Sequence, residues 1–463
     1  MKSKRILVIL LLIILLLFYI SNVKTIYTID DMAYVIALGL DTASSSNTKE
    51  ENSNQNASAQ GNNQNASNEN NNQSNNNSST NQNNNQDNNN NSSEQDNNSQ
   101  NNSKNTSDSS AQGNSGQKSN NKKLELTLQI ALHSSSSDKG SSSSQSSSTL
   151  TSTVNCNSIS EGINYINSYI GKKLNLSYCK AIVISEELTK KGINDYVATL
   201  VNDIEVRPYC DILISKCKTK DFLQNSEPYL EKLSAKYYDN ESISEKITGY
   251  TQEVSLLDFY NNYYDTFREP IAILGDKNSL STDNDDKTEK LGLAVFHKGS
   301  FAGELNYTET LCHLMVSNKL ESATLTIPSP FSDSDYITLQ VSSVKTKKNV
   351  DLVDNKPFIS CDIAVSTRIL SSSINANYMT KENIEKIEEA VNSYLKNNVT
   401  NYLYKTSQAL GADIDSFGSI AVRKFVTQES WDNFNWLDKY SSSTFNVDVK
   451  TKLRSSYLIL GLE

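Results

Sequence analysis

Chemistry in a protein usually starts from histidine, cysteine or clustered carboxylates, and this chain of 463 residues offers three His and six Cys. His133, His297 and His313 lie far apart, and none has a second histidine at ligand spacing. Cys312 and His313 are neighbours on a predicted helix and therefore project in different directions. Cys210 and Cys217 are too far apart for a C-x-x-C pair. Asp283-Asn284-Asp285-Asp286 lacks the glycine that an EF-hand loop needs at its sixth position. The reading is no metal site and no cofactor.

Nucleophiles fare no better. No G-x-S-x-G elbow or Gly-rich phosphate loop occurs. Ser393-Tyr394-Leu395-Lys396 has the S-x-x-K spacing of acyl enzymes, but neither S-D-N nor K-T-G accompanies it, and Ser342 with Lys345 repeats it by chance. The six cysteines (Cys156, Cys179, Cys210, Cys217, Cys312 and Cys361) mostly sit in apolar surroundings, where a thiol is a small hydrophobe. The sequence argues against an enzyme, so no catalytic residue is named. One aromatic cluster stands out: Trp431, Phe434, Trp436 and Tyr440 in SWDNFNWLDKY. It reads either as a loop packed onto the last domain or as a contact surface for a partner or a membrane interface.

The elements around these residues form a mixed α/β chain. A net charge of -10 provides no basic footprint for nucleic acid. Residues 44–121 hold no Val, Ile, Leu, Met, Phe, Tyr, Trp or Cys. Such an Asn/Ser/Gln tract cannot bury apolar surface and is expected to be disordered. A Ser-rich run, 134–152, reads as a loop in the same way. The rest is long enough for two or three domains.

Residues 29–41 and 124–132 read as strands. Ser158 and Glu161 form a capping box ahead of a helix ending at Gly171. Strand 180–185, helix 186–201 and strand 209–215 follow, an order that favours a parallel or mixed sheet. Helices are expected over 219–237 and 254–267, and an acidic linker over 276–289. Two apolar runs flank His297-Lys298-Gly299, a hairpin signature. A short helix (308–318), strands 324–327, 336–345 and 358–370, an amphipathic helix (about 380–410) and a final strand (444–460) complete the chain.

Lys2, Lys4 and Arg5 precede an apolar run from Ile6 to Ile20, the pattern of a secretory signal. As a helix this run spans roughly 22 Å, short of a bilayer core of about 30 Å unless the next residues join it. No small-x-small cleavage site follows, so an uncleaved anchor is expected, with the remainder outside the membrane. The expected organisation is an anchor (1–24), an N-terminal α/β domain (25–218, carrying both polar tracts), a mainly helical middle region with an acidic linker (219–287) and a C-terminal α/β domain (288–463).

Several segments together resemble the Ger(x)C family, the C-subunits of spore germinant receptors. Met32 to Asp41 looks like the family's opening strand, which ends in a G-I-D element. Ser160-Glu161-Gly162, the stretch 176–197 and VRPYCDILISK (206–216) are similar to its N-terminal core. The stretch 291–310 resembles its hairpin, and Leu410 to Gly418, with Trp431, Trp436 and the strand containing Lys452, resembles its C-terminal signature.

The resemblance implies three mixed α/β domains on the outer face of the spore inner membrane. It also implies a complex with a polytopic, transporter-like B-type subunit and a larger A-type subunit, needed for nutrient-triggered germination. Where the family carries a lipobox cysteine followed by Trp, this chain reads Ser21-Asn22-Val23-Lys24, which leaves the anchor to the N-terminal helix. The 44–121 tract reads as an insertion at a hairpin tip. A membrane-tethered solute-binding protein is the alternative, and a cell-wall hydrolase or acyl enzyme is a third reading.

Overall fold

The computed structural model describes residues 31–43, 123–132, 148–226, 237–238, 246–277, 288–372 and 380–456. The expected anchor (1–24) and the 44–121 insertion fall outside these residues, as does the Ser-rich run up to 147. The end of that run, expected as loop, instead opens a strand.

Among the described residues nine strands make the first sheet: β1 (Met32–Thr42), β2 (Leu124–Ala131), β3 (Thr149–Cys156), β4 (Lys173–Asn175), β5 (Ala181–Ser185), β6 (Asp211–Ser215), β7 (Ile271–Lys277), β8 (Thr288–His297) and β9 (Ser300–Leu305). Their order is β3-β2-β1-β5-β6-β7-β8-β9, with β4 beside the start of β1. β1, β5, β6 and β7 run parallel, and the outer pairs are antiparallel. β5 (AIVIS) and β6 (DILIS) are buried at every position. That fits parallel strands covered on both faces. β1 and β2 pair as far as Thr42 and Leu124, so the 44–121 tract does leave from a hairpin end.

Helices fill the crossovers. α1 (Ile159–Ile170) starts at Ser158, whose hydroxyl accepts from the Glu161 N–H, while the Glu161 carboxylate reaches back to the Asn157 N–H. The helix expected over 186–201 breaks at Gly192 into α2 (Glu186–Thr189) and α3 (Asn194–Val201). α4 (Thr219–Asn225) and α5 (Leu256–Tyr263) follow, each shorter than expected in its described part.

The second sheet holds β10 (Ala323–Pro328), β11 (Tyr336–Val353), β12 (Lys356–Ser372) and β13 (Thr444–Ser456) in chain order, with β12 and β13 parallel. α6 (Tyr307–Val316) begins with an Asn306–Glu309 capping box. α7 (Lys381–Tyr404) buries Ile387, Val391, Leu395, Val399, Tyr402 and Leu403, the stripe its spacing predicts. It also guards the open edge of β13: Asn392 and Glu388 accept from the Thr451 and Leu453 N–H groups at 2.7 and 2.8 Å. An edge strand covered this way is poorly available for pairing with another chain. After α7 come a single π-turn (405–409), α8 (Gly418–Ala421), α9 (Gln428–Phe434) and α10 (Trp436–Tyr440).

The α/β class is as expected, but the described strands gather into two sheets where three sheet domains are implied. The cause is β7, absent from the sequence reading. Its apolar run Ile271 to Leu274, bounded by Pro270 and Gly275, forms a buried strand between β6 and β8. It thereby draws the 291–305 hairpin into the first sheet. The hairpin itself turns as expected at Lys298-Gly299, both at positive φ (50° and 80°), the geometry of a two-residue primed turn. The expected acidic linker is strand at both ends (276–277 and 288–289), and its middle lies outside the described residues.

Candidate functional site

The family-like segment 410–418 sits where the two sheets meet, and its alternating acids, Asp413 and Asp415, organise the junction. Both side chains are almost wholly buried. The Asp413 carboxylate accepts from the Phe417 and Gly418 N–H groups at 3.1 and 2.8 Å and from the Trp436 indole Nε1 at 2.9 Å. Its carbonyl accepts from the Glu269 N–H at 2.8 Å, which ties the loop to the residues entering β7. Burial pushes the Asp413 carboxyl up to about 7, against the pull of those N–H groups. Gly418 admits no side chain, because a Cβ there would lie 2.4 Å from the Phe267 carbonyl oxygen.

Asp415 faces the other way. Its Oδ1 lies 2.9 Å from His313 Nδ1 on α6, and its Oδ2 accepts from the Tyr402 hydroxyl of α7 at 2.7 Å. His313 Nε2 faces the Gln252 amide oxygen at 3.1 Å. Lys348 of β11 donates to the Asp415 carbonyl at 2.7 Å. A buried His–Asp pair is half of a nucleophile-activating relay, but here the second ring nitrogen meets an amide rather than a hydroxyl or thiol nucleophile. What this arrangement does is hold α6, α7, β11 and the loop before α5 in one position. Burial lifts the Tyr402 hydroxyl well above its usual range.

A cavity of about 310 Å³ opens beside this network, lined by Gln252, Asn262, Arg268, His313, Lys348 and Asp415 among others. Its mixed cationic, anionic and amide groups suit a small polar solute better than an apolar one. A second cavity, of about 190 Å³, is lined by Lys180, Arg207, Tyr209, Asp211, Tyr238 and Glu253.

The four aromatic residues singled out in the sequence are brought together but turned inward. Trp431, Phe434, Trp436 and Tyr440 are 2%, 7%, 2% and 0% exposed. Trp431 stacks on Trp436 at 6.0 Å between centroids and packs beside Phe267 and Phe425. Its Nε1 donates to the Thr266 hydroxyl at 3.2 Å. A contact surface made of these rings is therefore corrected to a core: they fasten the C-terminal helices to segment 265–268 because apolar rings bury against each other, with each indole N–H given a partner.

The remaining candidates stay dispersed. His133 lies outside the described residues, and His297 contacts Glu269 at 2.9 Å. Among the described residues no group of three or more His, Cys, Asp or Glu could hold a metal ion. All six cysteines are free thiols. Burial pushes Cys179 and Cys361 up to about 12 and raises Cys210 and Cys312 as well, so none of these four is poised as a thiolate. The sequence reading gave no site role to Asp413, Asp415 or His313, and it placed Tyr402 only on the apolar stripe of α7. Two acids flanking Ile414 inside a Gly-bounded apolar segment were the available signal.

Two family models match the chain in succession. The spore germination protein N-terminal domain matches residues 111–275, and the spore germination B3/GerAC-like C-terminal domain matches 291–457. Spore germination protein GerQC of Bacillus cereus is 20% identical over 289 residues, covering 61% of this chain and 76% of its own length. Spore germination protein KC of Bacillus subtilis (strain 168) is 22% identical over 315 residues, covering 64% and 75%. The crystal structure of the GerBC protein aligns with a TM-score of 0.48 and 14% identity, over 71% of this chain and 93% of that one.

Proposed function

The chain belongs to the Ger(x)C family of germinant receptor proteins and has a role in spore germination, and from that premise we propose that it is a non-catalytic, extracytoplasmic C-subunit. It works through contacts with membrane-embedded A-type and B-type receptor subunits at the spore inner membrane and is held there by its N-terminal apolar run. The observation that carries this reading is the ordered pair of family matches, one over the greater part of the first sheet and one from the β8–β9 hairpin through the second sheet. The chemistry of the junction supports it: the residues that mark the family-like loop make internal hydrogen bonds, which suits a scaffold for partners.

Deletion of the gene is the direct test. Nutrient-triggered germination should be lost in a strain with no substituting paralogue and restored by the full chain. Intact germination in that strain would overturn the proposal.

A solute-binding role is the second reading, favoured by the polar cavity of about 310 Å³ beside His313 and Asp415. Calorimetry with candidate nutrients on the full chain separates the two. Heat of binding by the chain alone supports the solute-binding reading, and its absence supports the subunit reading.

A further inference from the structure

Two separate loops place large apolar or aromatic side chains on one end of the first sheet. Ile204 is 100% exposed, Tyr209 78% and Tyr178 53%. Isolated exposed hydrophobics need no explanation, but a grouped set does. The grouping follows from topology. β1 begins at this end beside β4, and parallel β5 and β6 start level with Ala37, so the loops that feed them fill the space at this end. The backbone stitches them together: the Lys180 N–H donates to the Ile36 carbonyl at 2.7 Å, and the Asp211 N–H to the Lys180 carbonyl at 2.8 Å. Tyr178 meets Tyr34 edge-on at 5.0 Å, the Arg207 guanidinium lies over the Tyr178 ring at 5.5 Å, and Lys173 pairs with Glu205 at 3.6 Å. Lys172, Lys173 and Arg207 are all exposed here, on a chain whose net charge is -10.

This end is also where the chain enters the fold. Met32 starts β1 here, twelve residues after Ile20 closes the apolar run. Twelve extended residues reach about 40 Å at most. The far end of β1, where Thr42 pairs with Leu124, lies about 35 Å further along the strand. Tyrosines with interspersed Lys and Arg are the side chains that settle at a bilayer's headgroup level, and cations there are drawn to anionic lipid.

We propose that this end of the first sheet, formed by Tyr178, Ile204 and Tyr209 with Lys172, Lys173 and Arg207, is a lipid-docking face that lies on the membrane surface. It rests on the reading that the N-terminal run holds the chain to a membrane. It adds a fixed orientation: the strand ends beginning at Met32, Ala181 and Asp211 point toward the lipid, and the Thr42–Leu124 hairpin end points away. One strong anchor and one weak interfacial contact together suppress tumbling on the tether.

The test uses the full chain reconstituted into phosphatidylcholine–phosphatidylglycerol vesicles. Ile204→Cys carries the fluorophore NBD, and Val426→Cys, at a residue 98% exposed in the loop before α9, is the control. The unsubstituted chain supplies the background of its six thiols. Doxyl-labelled lipid should quench about half of the emission at 204, as for a side chain at headgroup depth, and leave 426 unchanged. Equal, negligible quenching at both positions on chains that float with the vesicles overturns the docking face while leaving the anchor intact. Failure of the chain to float with vesicles overturns the anchor and the docking face together. Shielding of 204 in native spore membranes but not in pure lipid overturns the lipid assignment in favour of a membrane protein.

Discussion

Asp41 and Thr219 stand 178 residues apart in sequence and meet at the start of α4: one Asp41 carboxylate oxygen accepts from both the Thr219 N–H (2.8 Å) and the Thr219 hydroxyl (2.6 Å). The other oxygen faces the Lys218 ammonium at 3.8 Å. α4 has no capping side chain of its own, so a strand end supplies the cap. Two residues earlier, a Cβ on Gly39 would come within 2.7 Å of Thr219 Oγ1. The Gly39-Leu40-Asp41 ending of β1 is thus one device, a close approach followed by a cap.

Asp41→Ala should lower stability by about 1–3 kcal/mol, since it strips a helix N-terminus of its acceptor and leaves buried donors unmet. Asp41→Asn should cost less, because an amide oxygen still accepts. Gly39→Val should cost more than either, because Thr219, pinned by its bonds to Asp41, cannot retreat from the added volume. Thermal melts of the three variants check the ranking, and an unchanged melt for Asp41→Ala would remove the cap from the account.

Asp413 makes stability depend on pH. Its ordinary carboxyl value is near 3.8, and burial raises it to about 7 in the folded chain. The folded state then holds the proton more tightly than the unfolded state. This contribution is fully present below about pH 4, declines as pH climbs toward 7 and is gone above that. Asp413→Asn should flatten the fall in melting temperature between pH 4 and 7. A slope identical to that of the natural chain would mean the carboxyl titrates normally.

His313→Ala should destabilise by about 2–4 kcal/mol, because it leaves Asp415 and Gln252 buried beside an empty space. Tyr402→Phe removes only the hydroxyl that donates to Asp415 and should cost about 1–2 kcal/mol. The two sites share one carboxylate, so the double variant should fall short of the sum. Additive losses in a double-mutant cycle would show that the three side chains do not act as one network.

Trp436→Phe tests the aromatic core against the alternative of a partner surface. It keeps a ring against Trp431 while deleting the N–H that reaches Asp413, so the Asp413 carboxyl should titrate even higher. The effect should appear in the isolated chain, as a melting temperature that falls more steeply with pH. A partner-surface residue would leave the isolated chain unaffected and weaken only the complex.

Much of this architecture was legible in the residues. The Ser158–Glu161 box, the His297-Lys298-Gly299 turn and the Ile387-Val391-Leu395-Val399 stripe are local signals, and each forms the element its spacing predicts. β7 was missed because Ile271 to Leu274 is a short apolar run with no periodicity to mark it, and only pairing with β6 and β8 makes it a strand. The junction was missed for a related reason. Gln252, His313, Tyr402 and Asp415 come from four separate elements, and no spacing along the chain announces them. The aromatic cluster was visible as a cluster, yet composition alone does not say whether rings face solvent or one another.

Under the proposed function, this chain contributes contact with receptor subunits rather than chemistry of its own. Crosslinking mass spectrometry on spore inner membranes, with an affinity tag at Glu463, tests it most directly. Crosslinks to an A-type and a B-type subunit are expected. Recovery of the chain from the membrane with no crosslinked receptor subunit would contradict it.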